Sequence, residues 1–157
     1  MIFREAVEAT TNLAGRFQIG LQALRAQDRL HIKAEDTRRL SGSIDLDTTL
    51  QAVEPHANRW DFAIAYRHTN RKAEVIYWTE LHTASDSEVK VVIKKARWLL
   101  GWLKADGKKL AAPAFESDIV WVSSGATTFQ LTGPQRKQMA EAGLRHVGSC
   151  LRIRNKR

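Results

Sequence analysis

The sequence predicts an α/β fold, a three-layer sandwich in which helices flank a mixed sheet that begins with an antiparallel meander. Three observations lead to this class. Two aromatic and β-branched segments, 59–68 and 73–82, are separated by a polar loop and predict a β-hairpin. The run S-D-S-E-V-K-V-V-I-K-K-A-R-W-L-L-G-W-L at 85–103 then predicts an amphipathic helix, and D-I-V-W-V-S-S predicts a buried strand. Strands and helices mixed in this order are typical of layered α/β folds.

The segments before the hairpin give weaker patterns. Residues 2–27 carry an imperfect apolar stripe that predicts helix, with T-T-N at 10–12 as a break. Residues 28–41 are mixed and charged and predict only a connection or a partial strand. The alternating run at 43–48 predicts the first strand of the meander. Its Asp45 and Asp47 are interpreted as a solvated strand face, with metal ligation as the alternative.

The segments after the hairpin are easier to bound. Ser85 and Glu88 form an S-x-x-E capping box, which places the start of the long helix there. Thr132 as N-cap, with Pro134 in the first turn, predicts a second helix over 134–142. Residues 147–154 predict a last short strand. All 157 residues are expected to form one domain, because this length buries a single core of ordinary size.

Charge and composition restrict the functional classes. The formal net charge of +8 favours polyanionic partners, and together with the aromatic residues it favours nucleic acid over a membrane surface. Cys150 is the single cysteine, so an intramolecular disulfide is impossible and a cysteine-based zinc site has no support. No apolar run has the length of a signal sequence or a membrane span, so we expect a cytoplasmic protein without a membrane partner.

The hairpin contains an unusual pair of acids. If its turn centres on Asn70 and Arg71, Asp61 falls directly opposite Glu80 on the same side of the sheet. Cross-strand neighbours have Cβ atoms about 4.5–5.5 Å apart, and like charges placed there destabilise the pair. The two carboxylates therefore need a cation, a proton or a nearby base. His82 shares the face of Glu80, because strand side chains alternate.

This arrangement resembles the core of the PD-(D/E)XK nuclease superfamily, with its restriction-endonuclease-like fold. The resemblance covers residues 1–125 in element order: a helix, an antiparallel meander, a crossover helix and a strand. The family motif has an Asp at the start of the second strand and Glu-x-Lys on the third. The chain has Asp61 and then Glu80-Leu81-His82, with Trp60 replacing the family's proline and His82 replacing its lysine.

The resemblance implies a metal-dependent nuclease that hydrolyses phosphodiester bonds of DNA or RNA. Asp61, Glu80 and His82 are then the catalytic residues, and Mg²⁺ or Mn²⁺ is held by Asp61, Glu80 and the backbone carbonyl of Leu81. Hard carboxylate oxygens suit Mg²⁺, and a histidine can accept a proton from water near neutral pH. A homodimer is compatible with this class, since many such enzymes cut both strands as dimers.

The predicted helix supplies the basic residues for this function. Lys90, Lys94 and Arg97 are expected to contact backbone phosphates, although a solvated helix face is the simpler interpretation. Lys90 is also the candidate for the cation that the motif lacks. Two other functions remain open: a non-catalytic nucleic-acid-binding module on the same fold, and a basic interaction or immunity protein with an acidic protein partner.

Overall fold

A five-stranded mixed sheet lies at the centre of the protein in the computed structural model, which describes residues 1–157. In spatial order its strands are β2 (Leu40–Asp45), β3 (Phe62–Tyr66), β4 (Glu74–Ala84), β5 (Phe115–Thr127) and β6 (Leu144–His146). β2, β3 and β4 are antiparallel neighbours, whereas β4, β5 and β6 run parallel. The mixed sheet and its antiparallel meander are therefore confirmed, and β6 is a strand that the sequence pattern did not indicate.

Five helices accompany the sheet: α1 (Phe3–Glu8), α2 (Ala26–Arg29), α3 (Leu46–Leu50), α4 (Asp86–Lys104) and α5 (Gly133–Glu141). α4 connects β4 to β5 and α5 connects β5 to β6, as parallel neighbours require a crossover. The predicted bounds of both helices are confirmed to within a residue. None of the helices combines the length and the hydrophobicity that a membrane crossing requires.

The starts of α4 and α5 differ in how they are capped. At α5 the capping box is complete, since Thr132 Oγ1 accepts the amide of Gln135 at 3.2 Å. At α4 the predicted capping box is wrong, because the Ser85 side chain makes no capping hydrogen bond. The Glu88 side chain instead contacts His82. The acid that the sequence assigned to a cap is therefore used to join β4 to α4.

The two faces of the sheet are covered by different layers. One face packs against α1, α4 and α5, through buried side chains such as Val7, Val92 and Met139. The other packs against Leu24 and a second, two-stranded parallel sheet of β1 (Ile32–Ala34) and β7 (Leu151–Ile153). The layers are thus helices, a mixed sheet, and a small sheet with adjoining turns. On the second face this small sheet replaces the expected helices.

The weakly patterned segments gave the least accurate predictions. Helix over 2–27 is wrong between α1 and α2, because Asn12, Gly15 and Gly20 have left-handed backbone angles, which a right-handed helix excludes. The strand predicted over 43–48 ends at Asp45. That side chain accepts the amide of Thr48 at 2.9 Å and caps α3. The last predicted strand forms as β7, but it joins the small sheet.

Candidate active site

Asp61 and Glu80 face each other where β3 begins. The β3–β4 register pairs Phe62 with Thr79, so the preceding residue, Asp61, lies opposite Glu80 as predicted. The amide of Asp61 donates to Glu80 Oε2 at 3.1 Å, and the amide of Leu81 donates to Asp61 Oδ2 at 3.1 Å. Each carboxylate is therefore positioned by a backbone N–H of the opposite segment. Both lie on the face of the sheet that α4 covers.

The cation between these carboxylates is Lys95 of α4. Its Nζ donates to Glu80 Oε1 and lies 3.4 Å from Asp61 Oδ1. The Lys95 side chain is only 15% exposed, whereas Lys90 points to solvent and forms no ion pair. Assigning the missing cation to Lys90 is therefore wrong, because Lys90 lies on the outer face of the helix. Lys95 lies at the edge of the apolar face, from which a long side chain reaches the sheet.

Burial makes this cluster electrostatically unusual. The Glu80 side chain is fully buried, and burial, followed by the charge of Asp61, raises its pKa well above the usual range despite the opposing effect of Lys95. Burial likewise raises the pKa of Asp61, again against Lys95. Burial disfavours the charged form of Lys95, but the charges of Glu80 and Asp61 outweigh it and raise the lysine pKa. Two acids thus share one cation, which leaves the cluster able to take a proton or a second cation.

His82 lies beside this cluster but is directed at a different acid. Its Nε2 is 2.6 Å from Glu88 Oε2, while its Nδ1 is 3.9 Å from Glu80 Oε1. The His82 side chain is 26% exposed, and its backbone carbonyl accepts the indole N–H of Trp121 at 3.1 Å. The cation that contacts both acids is therefore Lys95, and His82 bridges β4 and α4. Its role as a catalytic base stays a prediction.

A cleft of about 380 Å³ opens beside Asp61 and Leu81. Four aspartates and one arginine line it, so it is acidic in a chain whose net charge is +8. Two of these acids have nearby guanidinium groups, with Asp47 Oδ1 at 2.9 Å from Arg59 and Asp28 at 3.5 Å from Arg25. The charged lining comprises Arg25, Asp28, Asp45, Asp47 and Asp61. The two aspartates predicted on β2 therefore do lie near Asp61.

The side chains at this site can supply two of the ligands that a Mg²⁺ ion needs. No three side chains of His, Cys, Asp or Glu converge with the geometry of a metal site. Asp61 and Glu80 do direct carboxylate oxygens at one position, where Lys95 supplies the positive charge. Mg²⁺ is usually held by one or two carboxylates together with waters and substrate phosphates, so these two acids fit it. Ligation by the carbonyl of Leu81 stays a prediction.

The basic residues predicted to bind nucleic acid lie on the exposed side of α4. Lys90, Lys94 and Arg97 are all exposed, and none of them forms an ion pair. They belong to the helix that carries Lys95, but their side chains do not line the acidic cleft. Their contact with phosphates stays a prediction.

Comparisons with known proteins do not assign this chain to a family. No protein-family model matches it, and no curated protein or solved structure gives a significant match. The functional assignment therefore depends on the geometry of the cluster formed by Asp61, Glu80 and Lys95.

Proposed function

We propose that this protein is a metal-dependent nuclease of the PD-(D/E)XK type, with a restriction-endonuclease-like fold, that hydrolyses phosphodiester bonds of DNA or RNA. The observation that carries the proposal is the convergence of Asp61 and Glu80 on Lys95 at the open end of β3 and β4. The order of elements supports it, since a helix precedes the meander and α4 crosses to a parallel strand. The family motif uses an Asp, a Glu and a Lys. The same three residue types are present here, with an acid at the start of one strand, an acid on the next and a lysine beside them.

Each residue of the cluster has a distinct role in this proposal. Asp61 and Glu80 would hold Mg²⁺ or Mn²⁺, which when bound polarises the phosphate and makes water more acidic. Lys95 holds the two carboxylates together through its Nζ and is the donor available for a phosphate oxygen. Burial and the charge of Asp61 raise the pKa of Glu80 despite Lys95, and a bound divalent cation is expected to lower that pKa again and favour the ionised form.

The acidity of the cleft supports a metal-dependent function. A phosphate backbone is repelled by the aspartates around Asp61 unless their charge is offset. A divalent cation at Asp61 and Glu80 would offset it at the place where hydrolysis is proposed. A protein that only binds nucleic acid would gain nothing from an acidic cleft, so the cleft favours the nuclease over a simple binding module.

One observation favours a second candidate function, the non-catalytic nucleic-acid-binding module. The Lys95 ammonium already lies between the two carboxylates and satisfies both. A buried lysine in this position can neutralise both carboxylates permanently, so that no metal ion is needed there. In that case the basic surface binds nucleic acid, and the cluster serves only to join α4 to the sheet.

The two candidates are separated by measuring metal binding and cleavage on the same preparations. Mg²⁺ or Mn²⁺ binding is followed by calorimetry, with plasmid DNA and a structured RNA as cleavage substrates. Wild type is compared with Asp61→Asn, and Asp36→Asn is the matched control, because Asp36 caps a 3₁₀ turn and pairs with exposed Arg38. The nuclease predicts metal binding and cleavage in wild type and in Asp36→Asn, with both lost in Asp61→Asn. Nucleic-acid binding without metal binding or cleavage would contradict it and favour the second candidate.

A further inference from the structure

Three basic side chains project from one face of the segment that contains β7. Arg152, Arg154 and Lys156 are exposed, while Ile153 between the first two is buried. Arg152 and Arg154 are alternate residues, which share a face of a strand and lie about 6.6 Å apart, and Lys156 lines the same pocket as both. None of these three cations forms an ion pair or a side-chain hydrogen bond. They form a regular row of uncompensated positive charge.

The backbone that carries this row is fixed to the rest of the fold. The amide of Glu35 donates to the carbonyl of Ile153 at 2.8 Å, and the amide of Asn155 donates to Glu35 Oε2 at 2.6 Å. The hydroxyl of Tyr66 donates to Asn155 Oδ1 at 2.6 Å, and the amide of Arg157 donates to Asn70 Oδ1 at 3.0 Å. The segment is therefore an ordered part of the surface.

Further cations extend the row in both directions. Lys33 on β1 pairs in register with Arg152 on β7, which places two like charges side by side on the exposed face. Such pairs are destabilising unless an anion lies between them. On the other side, Arg67 and Lys72 flank the β3–β4 turn. They line a pocket of about 580 Å³. A second pocket is lined by Arg152, Arg154 and Lys156, and His68 lines both pockets. We call these six residues the basic track: Lys33, Arg67, Lys72, Arg152, Arg154 and Lys156.

The acids near the basic track do not cancel its charge. Asp118 already binds two other guanidinium groups, Arg145 at 2.8 Å and Arg157 at 3.4 Å. Glu35 lines one pocket with Lys33, Arg152 and Arg154, and Glu74 lines another with Arg67 and Lys72, so in each pocket one acid faces more than one cation of the track. None of these acids forms an ion pair with a residue of the track.

We propose that the basic track binds the phosphate backbone of double-stranded nucleic acid. A row of exposed cations without anionic partners is complementary to a polyanion. The large hydrophobic residues that are well exposed are Met1 and five aliphatic residues. Phe17, Trp98 and Phe129 are only partly exposed and pack against the core, so no aromatic ring is fully open for an unpaired base to stack on. Proteins that bind single strands rely on such stacking, so its absence favours a duplex held through its phosphates without sequence readout.

The basic track lies away from the acidic cleft. The five residues of β3 separate Asp61 from Arg67, a distance of about 20 Å along the strand. β1 and β7 also cover the face of the sheet opposite α4. The track is therefore a second nucleic-acid contact, and its binding does not depend on whether the cleft is catalytic.

The test compares two triple variants that each remove three positive charges. Arg152→Gln/Arg154→Gln/Lys156→Gln changes the track. Lys104→Gln/Lys108→Gln/Arg136→Gln is the control variant, because these exposed residues belong neither to the track nor to the predicted phosphate contacts of α4. Binding to a fluorescent DNA duplex of about two helical turns is measured by anisotropy in EDTA, across about 50–200 mM salt. We expect the track variant to lose about tenfold or more in affinity. Its slope of log K against log salt should be shallower by about 2.7, since each lost phosphate contact contributes about 0.9.

The control variant is expected to stay within about twofold of wild type, because it has the same net charge as the track variant but an intact track. An equal or larger loss in the control variant would overturn the proposal, as would the absence of duplex binding in low salt. Tighter binding to a single strand of the same length, or binding to phosphatidylserine vesicles but not to duplex, would overturn it as well. An RNA duplex in the same assay tests whether the phosphate contacts discriminate between the two nucleic acids.

Two further variants keep the test interpretable. Arg67→Gln/Lys72→Gln lies on a different element and should also weaken duplex binding, so the proposal can still fail if the first variant does not fold. Asp106→Asn, an exposed acid outside the cleft and the track, is expected to retain wild-type duplex binding in EDTA. Failure of the nuclease proposal would appear as missing metal-dependent cleavage, whereas failure of the track proposal would appear as unchanged affinity in the track variants.

Discussion

Asp61 and Glu80 position each other across the start of the hairpin. Glu80 Oε2 accepts the amide of Asp61, while Asp61 Oδ2 accepts the amide of Leu81, next to Glu80, and both bonds are 3.1 Å long. One oxygen of each carboxylate is thereby used to fix its orientation, and the other is directed at Lys95 Nζ. The two acids are held close together by the backbone, so their charges must be compensated from elsewhere.

Replacing Lys95 with methionine is expected to destabilise the fold strongly. Lys95→Met removes the cation while leaving the buried Glu80 and the mostly buried Asp61 in place. Breaking a buried ion pair by removing one partner typically costs about 3–5 kcal/mol. The measurement is urea denaturation near neutral pH.

The neighbouring lysine provides the control for this prediction. Lys94→Met changes an exposed residue of the same helix and should alter the free energy of unfolding by less than about 0.5 kcal/mol. A Lys95→Met protein as stable as Lys94→Met would mean that the two acids are compensated without Lys95.

The buried acid also predicts how stability depends on pH. Because the pKa of Glu80 is higher in the folded protein than its usual 4.5, the folded state binds more protons than the unfolded chain between those two values. Stability should therefore fall as pH rises through this window, by up to about 1.4 kcal/mol per pH unit for one proton. Glu80→Gln lacks this group, so its stability relative to wild type should increase as pH rises above 4.5. Parallel stability curves for the two proteins, measured by urea denaturation at successive pH values, would contradict the shift.

The opposition of Asp61 and Glu80 was predictable because strand alternation and one turn position determine a hairpin register. Lys95 was harder to identify. In the helix, Lys90, Lys94, Lys95 and Arg97 all lie outside the apolar stripe, and the pattern does not say which of them borders it closely enough to reach the sheet. The available signal was the spacing of Glu88 and Lys95, since residues seven apart share a helix face. Glu88 contacts His82 and Lys95 contacts Glu80, and these two partners lie on the same face of β4.

A glycine in β2 gives a prediction about the fold alone. Gly42 has φ of 152°, and a Cβ placed there would lie 2.2 Å from the Phe17 ring and 2.7 Å from the carbonyl oxygen of Gln18. Gly42→Ala should therefore destabilise the protein by more than about 1 kcal/mol. Gly101→Ala is the control, because this position in α4 has free space and alanine is the better helix former, worth about 1 kcal/mol. Thermal denaturation should give a lower Tm for Gly42→Ala and a higher Tm for Gly101→Ala. A Gly42→Ala protein as stable as wild type would contradict the close approach of Phe17.

The same contact explains why the first forty residues were predicted poorly. Phe17 and Gln18 lie against β2 as an extended segment that bridges to Ser43, although their sequence continues the apolar spacing of a helix. This is a tertiary contact that overrides local periodicity. The helices α4 and α5 were predicted well because their amphipathic pattern or their capping residues lie within the helix itself. The third layer depends on pairing β1 with β7, which are more than a hundred residues apart and carry no local signal of their partnership.

Metal binding is expected to release a proton from the cluster. On the nuclease proposal a divalent cation at Asp61 and Glu80 stabilises their ionised forms, whereas burial raises the pKa of both acids without it. Titrating Mg²⁺ by calorimetry in two buffers of different ionisation enthalpy counts the protons released. We expect a release of up to one proton in wild type near neutral pH, falling as pH rises. In Glu80→Gln the release should be much smaller. A release of zero near neutral pH would show that Glu80 is already ionised beside Lys95, and zero release at every pH would show that Glu80 does not bind the metal.

His82 and Lys95 are expected to contribute unequally to cleavage. Lys95 contacts both acids, whereas His82 Nε2 is 2.6 Å from Glu88 and its Nδ1 is 3.9 Å from Glu80. His82→Asn should therefore lower kcat by less than about tenfold, while Lys95→Arg, which keeps the positive charge but changes its position, should lower it by about a hundredfold or more. Glu88→Gln tests whether Glu88 positions His82. If it does, Glu88→Gln and His82→Asn should give the same small loss of kcat. Metal-dependent cleavage by each folded variant, measured with its pH profile, checks the ranking. A loss of activity in His82→Asn as large as that in Lys95→Arg, together with loss of the acidic limb of the profile, would instead assign the proton-accepting role to His82.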